Sequence, residues 1–438
     1  MKNKKLYYLA IPFFLLAAAC SNKAKESQVT ISSDTSSAKN LNSLPAVSES
    51  KTKFSNIIGW KDEQTPKAPK GFVVSRFAEG LKSPRQCYIA PNGDVLVVLS
   101  NSERSTKENL IGKIIGQADS EVGGKSANTI MLYRDKDGDG MPETKSVFLQ
   151  NLNQPFGMLI IGDKFYVANT DGLWMYPYKT GSTRIEQSGK KILDLPAGGY
   201  NNHWTRNLIA NSDNSKIYVS VGSGSNVGEN GMDKELRRAN ILEINPDGTG
   251  EKIYAYGLRN PVGMDWNPVS KKLWTAVNER DKLGDDLVPD YITSVKQGAF
   301  YGWPYSYFGK HEDPRMKGLK PDLVAKAVVP DYALAPHSAS LGLAFYDADK
   351  FPEQYRNGAF VGQHGSWNRS EFTGYKVVFV PFKNGKASGK EQDFLSGFVV
   401  GDDSRNVHGR PVGVTVAKDG SLLVADDGAG IIWRVAAK

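Results

Sequence analysis

The chain has 438 residues, 40% of them hydrophobic and 10% aromatic, which suits a large packed core and excludes a disordered or fibrous protein. Its net charge is +8, but Lys and Arg are scattered along the chain, which argues against nucleic acid as a partner. With only Cys20 and Cys87, a disulfide framework is excluded as well.

The first element in chain order is a targeting segment. MKNKK is a basic start, and LYYLAIPFFLLAAA is an apolar stretch too short to span a membrane. Cys20 closes it, as in a bacterial lipoprotein signal over residues 1–19. That reading implies a lipid on Cys20 and a cell-envelope protein anchored to the periplasmic or extracellular face of a membrane. An ordinary secretory signal cut nearby is the alternative. Cys87 lies in an apolar run and reads as a small buried hydrophobe. Residues 20–55 are polar and poor in aromatics, the composition of a flexible tether.

The rest, residues 56–438, carries one phrase six times: a turn with Pro, Arg or Ser, a small-apolar strand, a Gly/Asp/Asn turn and a second apolar strand. The copies start at Gly80, Asn151, His203, Gly257, Ser338 and Gly409, at intervals of 71, 52, 54, 81 and 71 residues. A hairpin repeated at that period without helical patterning between copies predicts an all-β, six-bladed β-propeller. The segments GFVVSRF, from Gly71, and IIWRV, ending at Val435, are expected to pair and close the ring.

In such a blade the first strand runs from one face to the other and the second returns. Residues before first strands and after second strands therefore share one rim. That rim collects Gln154, Asn202-His203, Arg259-Asn260, His337, His408 and Arg410, with NERDKLGDD from Asn278 and QHGSWNRS from Gln363. Four of the five histidines fall there, and the opposite turns (APNG, NSDNS, NPVS, AKDG) carry no comparable chemistry. The loop with Glu279, Asp281, Asp285 and Asp286 offers the oxygen donors a hard cation takes. A second acidic run, DKDGDGMPE from Asp135 to Glu143, starts like a calcium loop but has Ser146 at the twelfth position. It reads equally as a weak calcium site or a polar hairpin. There is no GxGxxG turn, P-loop, GxSxG elbow or zinc-spaced His/Cys cluster.

The stretches NHWTRNL, GLRNPVGMDWNP, VNERDKLGDDLVPDYITSV, FYGWPYSYFG, VPDYALAPHSASLGLAFY, FVGQHGSWNRS and GRPVGV resemble the quinoprotein sugar dehydrogenases, most closely the sorbosone dehydrogenase branch and more distantly the soluble glucose dehydrogenase. The resemblance covers residues 70–438. It implies pyrroloquinoline quinone (PQQ) and Ca²⁺ as cofactors, a sugar hydroxyl or hydrated aldose as substrate, and an external electron acceptor. By motif, it makes His203 the catalytic base and Arg259, Asn260 and Gln154 cofactor contacts. His364 or Arg369 would stand for a family lysine without a counterpart here, and Arg410 for a later arginine. Glu279, Arg280, Asp281 and Asp286 would form the metal loop, although the glucose enzyme has Gly-Pro where Arg280 and Asp281 stand. Two other classes stay open on the residues alone: a calcium-dependent propeller hydrolase or lactonase, and a non-catalytic sugar-binding propeller.

Overall fold

The computed structural model describes residues 44–103, 117–120, 123–401 and 404–438. The described residues contain six four-stranded antiparallel sheets, each built outward from the first strand of one repeat. Those first strands are Pro84–Ile89, Met158–Ile161, Leu208–Ala210, Pro261–Trp266, Ser340–Phe345 and Pro411–Val416. The sixth blade takes its outer strand from the start of the ring. Phe72–Ala78 pairs antiparallel with Ile431–Ala437, in the register Val74 opposite Val435, so the expected closure is present.

Alternation along each strand sends apolar side chains to both faces of every blade, and neighbouring blades interdigitate them. Six clusters fill the six clefts. Val98 and Ile130 meet Phe165 and Val167, for example, and Phe360 and Val377 meet Val424 and Trp433. A seventh cluster lies on the axis, where Phe156, Trp204, Val262, Leu341 and Val412, one from each of five blades, seal the central channel. Beyond this seal a cavity of about 320 Å³ opens to the opposite face, lined by the far ends of the first strands.

The repeated phrase carries a glycine for the same geometric reason. A Cβ on Gly157 would come within 2.5 Å of Leu208 N, and one on Gly263 within 2.5 Å of Leu343 N. In the second, fourth, fifth and sixth blades (Gly157, Gly263, Gly342, Gly413) the neighbouring first strand comes too close for a side chain, whereas the first and third carry Gln86 and Asn207 there.

The described part of the expected tether, residues 44–55, together with residues up to Trp60, lies along the rim. Ser48 N donates to Leu283 O (3.1 Å), and Lys53 N to Trp367 O (2.9 Å). Phe54 stacks on Trp367 (5.9 Å between centroids). Asn56 and Ile57 pair with Asn406 and Val407, and Trp60 stacks on His408 at 4.4 Å. This strap ties the fourth, fifth and sixth blades together on one face.

Candidate active site

The rim residues are set by the same local rule that makes the blades: the chain must turn immediately before each first strand. His203 precedes the first strand of the third blade and is buried. Its Nδ1 lies 2.8 Å from Ser223 O and 2.9 Å from Ser223 Oγ. The carbonyl only accepts, so Nδ1 carries the hydrogen and Nε2 is left with its lone pair. Nε2 has the Asn202 amide 3.3 Å away. Burial, reinforced by the Arg259 charge, holds the His203 imidazole well below its usual pKa, so it is neutral at pH 7.

Arg259 is the hub beside it. Its Nη1 donates to the carbonyls of Asn278 (3.1 Å) and Glu279 (2.7 Å). Its Nη2 donates to Asn226 Oδ1 (2.9 Å) and faces Asp281 Oδ2 at 3.3 Å. The other Asp281 oxygen faces His337 Nδ1 (3.2 Å), while His337 Nε2 donates to Gly284 O (2.8 Å). Burial works against the Asp281 charge, but His337 and Arg259 overcome it and hold the carboxyl below its usual pKa. Next door, Asn260 Oδ1 is buried without a partner. Gly222 faces it, and a Cβ there would come within 2.5 Å of Asn260 Oδ1 and 2.6 Å of His203 Cβ. A buried acceptor left open beside a neutral imidazole is the chemistry of a site that completes itself on a ligand.

Arg410 and His364 converge as well, though on a protein group. Arg410 Nε lies 3.0 Å from Asp427 Oδ1, and His364 Nε2 lies 3.0 Å from both Asp427 oxygens. Arg85 joins them, ion-paired to Asp427 through Nη1. Burial pulls the His364 pKa down to about 4, so this imidazole too is neutral near pH 7. Sequence reasoning missed both Arg85 and Asp427. The signal for Arg85 was a break in the repeat: it stands where other copies carry the apolar Phe156, Val262, Leu341 and Val412.

The other expected site residues are dispersed. Gln154 sits on the rim with its amide committed to Asn101 O (2.9 Å). Arg369 lies 3.4 Å from Asp286, whose side chain is 66% exposed. Glu279 turns inward, where its carboxylate accepts from Arg280 N (3.0 Å) and burial raises its pKa to about 7. Arg280 is buried and paired with Asp313 (2.7 Å). The expected metal loop therefore does not gather its carboxylates. Among the described residues, only Asp135, Asp137, Asp139 and Glu143 bring four carboxylate ligand atoms within 4.8 Å of one another. They occupy a hairpin turn on the face opposite the rim. His408 is tied to the strap through Gly59 O (2.6 Å), and Cys20 lies outside the described residues.

Residues 179–434 match the family model for glucose/sorbosone dehydrogenases, more than half of the chain. The chain belongs to this family. It is thus an oxidoreductase of the sugar dehydrogenase class. An uncharacterized protein of Borreliella burgdorferi is 33% identical over 298 residues, 65% of this chain and 76% of that one. An aldose sugar dehydrogenase of Escherichia coli is 35% identical over 120 residues, 27% of this dehydrogenase and 30% of the relative. Among solved structures, the holo PQQ domain of a Coprinopsis cinerea pyranose dehydrogenase superposes with a TM-score of 0.67 at 20% identity. The superposition covers 87% of this chain and 100% of that one, and so supports the propeller fold.

Proposed function

We propose that this protein oxidises a sugar hydroxyl or hydrated aldose with PQQ, passes the electrons to an external acceptor, and works while lipid-anchored through Cys20 in the cell envelope. The observation that carries the reading is the charge on the rim beside a neutral base. Arg85 and Arg410 share the single carboxylate Asp427, Arg259 faces Asp281, and Arg206 is buried near His203; two further buried arginines, Arg280 and Arg238, have Asp313 and Glu235 beside them. Arg206 is fully buried, with oxygen partners from His203, Thr205, Pro196 and Asn201 and no carboxylate. Two guanidiniums on one carboxylate, and a third with none, suit an anionic ligand, and PQQ is a tricarboxylate.

The residues present fit that group. Arg259, Asn260, Arg410 and His364 would hold it, with Gly222 leaving the space beside Asn260. The quinone supplies the hydride acceptor when bound. The chain supplies the rest. His203 Nε2 takes the proton of the substrate hydroxyl, and the Ser223 contact keeps that nitrogen free to do so. Arg259, held by the Asn278 and Glu279 carbonyls, offers a fixed positive charge to the oxygen on which charge develops.

Calcium fits less well. The expected ligands Glu279, Arg280, Asp281 and Asp286 point apart, and the Asn278 and Glu279 carbonyls are occupied by Arg259.

The test is reconstitution of purified protein with PQQ, with and without Ca²⁺, followed by a panel of aldoses and ketoses. Reduction of the bound quinone by at least one sugar is the expected result. Binding of sugar without reduction would favour the sugar-binding alternative, and lactone hydrolysis without PQQ would favour the hydrolase.

A further inference from the structure

The axial seal is not wholly apolar on its rim side. Arg85, from the first blade, lies across it, its guanidinium 5.2 Å from the ring centroid of Trp204. Trp204 follows His203 directly and is itself one of the five sealing residues. Arg85 is thus held on the floor beneath the rim, between Asp427 and the Trp204 indole. Its Nη1 is used by Asp427, and its Nε is buried with no partner. Asp427 is a single carboxylate shared by two guanidiniums, Arg85 and Arg410, with a neutral imidazole as its third neighbour. The next carboxylate, Asp426, accepts from the Arg410 backbone N–H, so Asp427 is the one carboxylate that the two guanidiniums contact among the described residues. A buried charge short of a counter-charge is unfavourable until something neutralises it.

We propose that Arg85 is a cofactor-contact residue: its guanidinium, laid on Trp204, receives a carboxylate of the anionic cofactor at the floor of the site. This rests on the PQQ reading above and deepens it. Asp427 is a positioning residue in this scheme, since it orients both arginines without needing to touch the ligand. A fork-shaped donor stacked on a ring suits a planar anion better than an ammonium would.

The experiment is titration of apoprotein with PQQ, read by quenching of tryptophan fluorescence, for wild type, Arg85→Met and Arg85→Lys. Methionine keeps the stack on Trp204 and leaves Asp427 its Arg410 partner. Loss of a charge-assisted contact should weaken binding roughly ten- to hundredfold in Arg85→Met, with Arg85→Lys between that variant and wild type. The trimethyl ester of PQQ, lacking the carboxylate charges, should bind wild type and Arg85→Met alike, which a merely structural role for Arg85 would not produce. Equal PQQ affinity of wild type and Arg85→Met would overturn the inference while leaving the PQQ reading intact. If Arg85→Met does not fold, Arg85→Lys decides: unchanged affinity there overturns it. Failure of wild type to bind PQQ at all would overturn the cofactor reading and this inference with it.

Discussion

Replacing His203 by glutamine tests the centre of the proposed chemistry. The imidazole is buried, its Nδ1 is fixed by two contacts at 2.8 and 2.9 Å, and its free nitrogen is Nε2. Glutamine keeps a polar, neutral side chain of similar reach but cannot accept a proton near neutral pH. A positioned general base contributes about 10²- to 10⁴-fold, so kcat should fall by that factor, about 3–5 kcal/mol of barrier. PQQ affinity should hardly move, because the guanidiniums remain. The assay is stopped-flow reduction of the bound quinone by saturating sugar across pH. In wild type the neutral imidazole is the active form, and burial together with the Arg259 charge depresses its pKa below 6.5. The rate should therefore be flat through neutrality and fall only on the acid side of that value. A near-normal rate in His203→Gln with cofactor bound would remove His203 from the reaction. An inflection near pH 7 that disappears in Glu279→Gln would hand the proton to Glu279, whose carboxyl titrates at about 7.

Three further outcomes are expected. Because burial raises the Glu279 pKa in the folded state, its contribution to stability is present at low pH and lost as pH rises from about 4.5 to about 7. Denaturant midpoints should accordingly fall over that window in wild type and fall less in Glu279→Gln, by up to about 3 kcal/mol. Gly342→Ala would drive a Cβ into the Val412 carbonyl between the fifth and sixth blades, costing about 1–3 kcal/mol or more, visible as a lower thermal midpoint. Cys20→Ser should move the protein from the membrane to the soluble fraction with its turnover unchanged, and continued sedimentation with membranes would argue against lipidation.

The ring was legible because its signal is local and repeated. Each first strand needs a turn and a small-apolar run, and four of the six carry an axial glycine, and all of these survive as letters in the chain. The same logic placed His203, Arg259, Asn260, His337 and Arg410 on one rim. What it could not supply was direction. Glu279 and Asp281 are two residues apart, yet one turns into the core and the other toward Arg259 and His337. Asp427 looks like the end of a strand in sequence, and only the folded ring brings Arg85 to it from 342 positions away. The strap gave no warning either, since its polar composition is that of a tether and its contacts are mostly backbone hydrogen bonds to distant loops.

The sealed axis has a kinetic consequence. Among the described residues, Phe156, Trp204, Val262, Leu341 and Val412 pack together across the axis, between the far-face cavity and His203. Under the proposed reaction the sugar and the electron acceptor must use the same mouth, and the first product has to leave before the acceptor arrives. Such an enzyme turns over by a ping-pong scheme. Double-reciprocal plots at several acceptor concentrations should be parallel, and excess sugar should inhibit by occupying the mouth when the acceptor needs it.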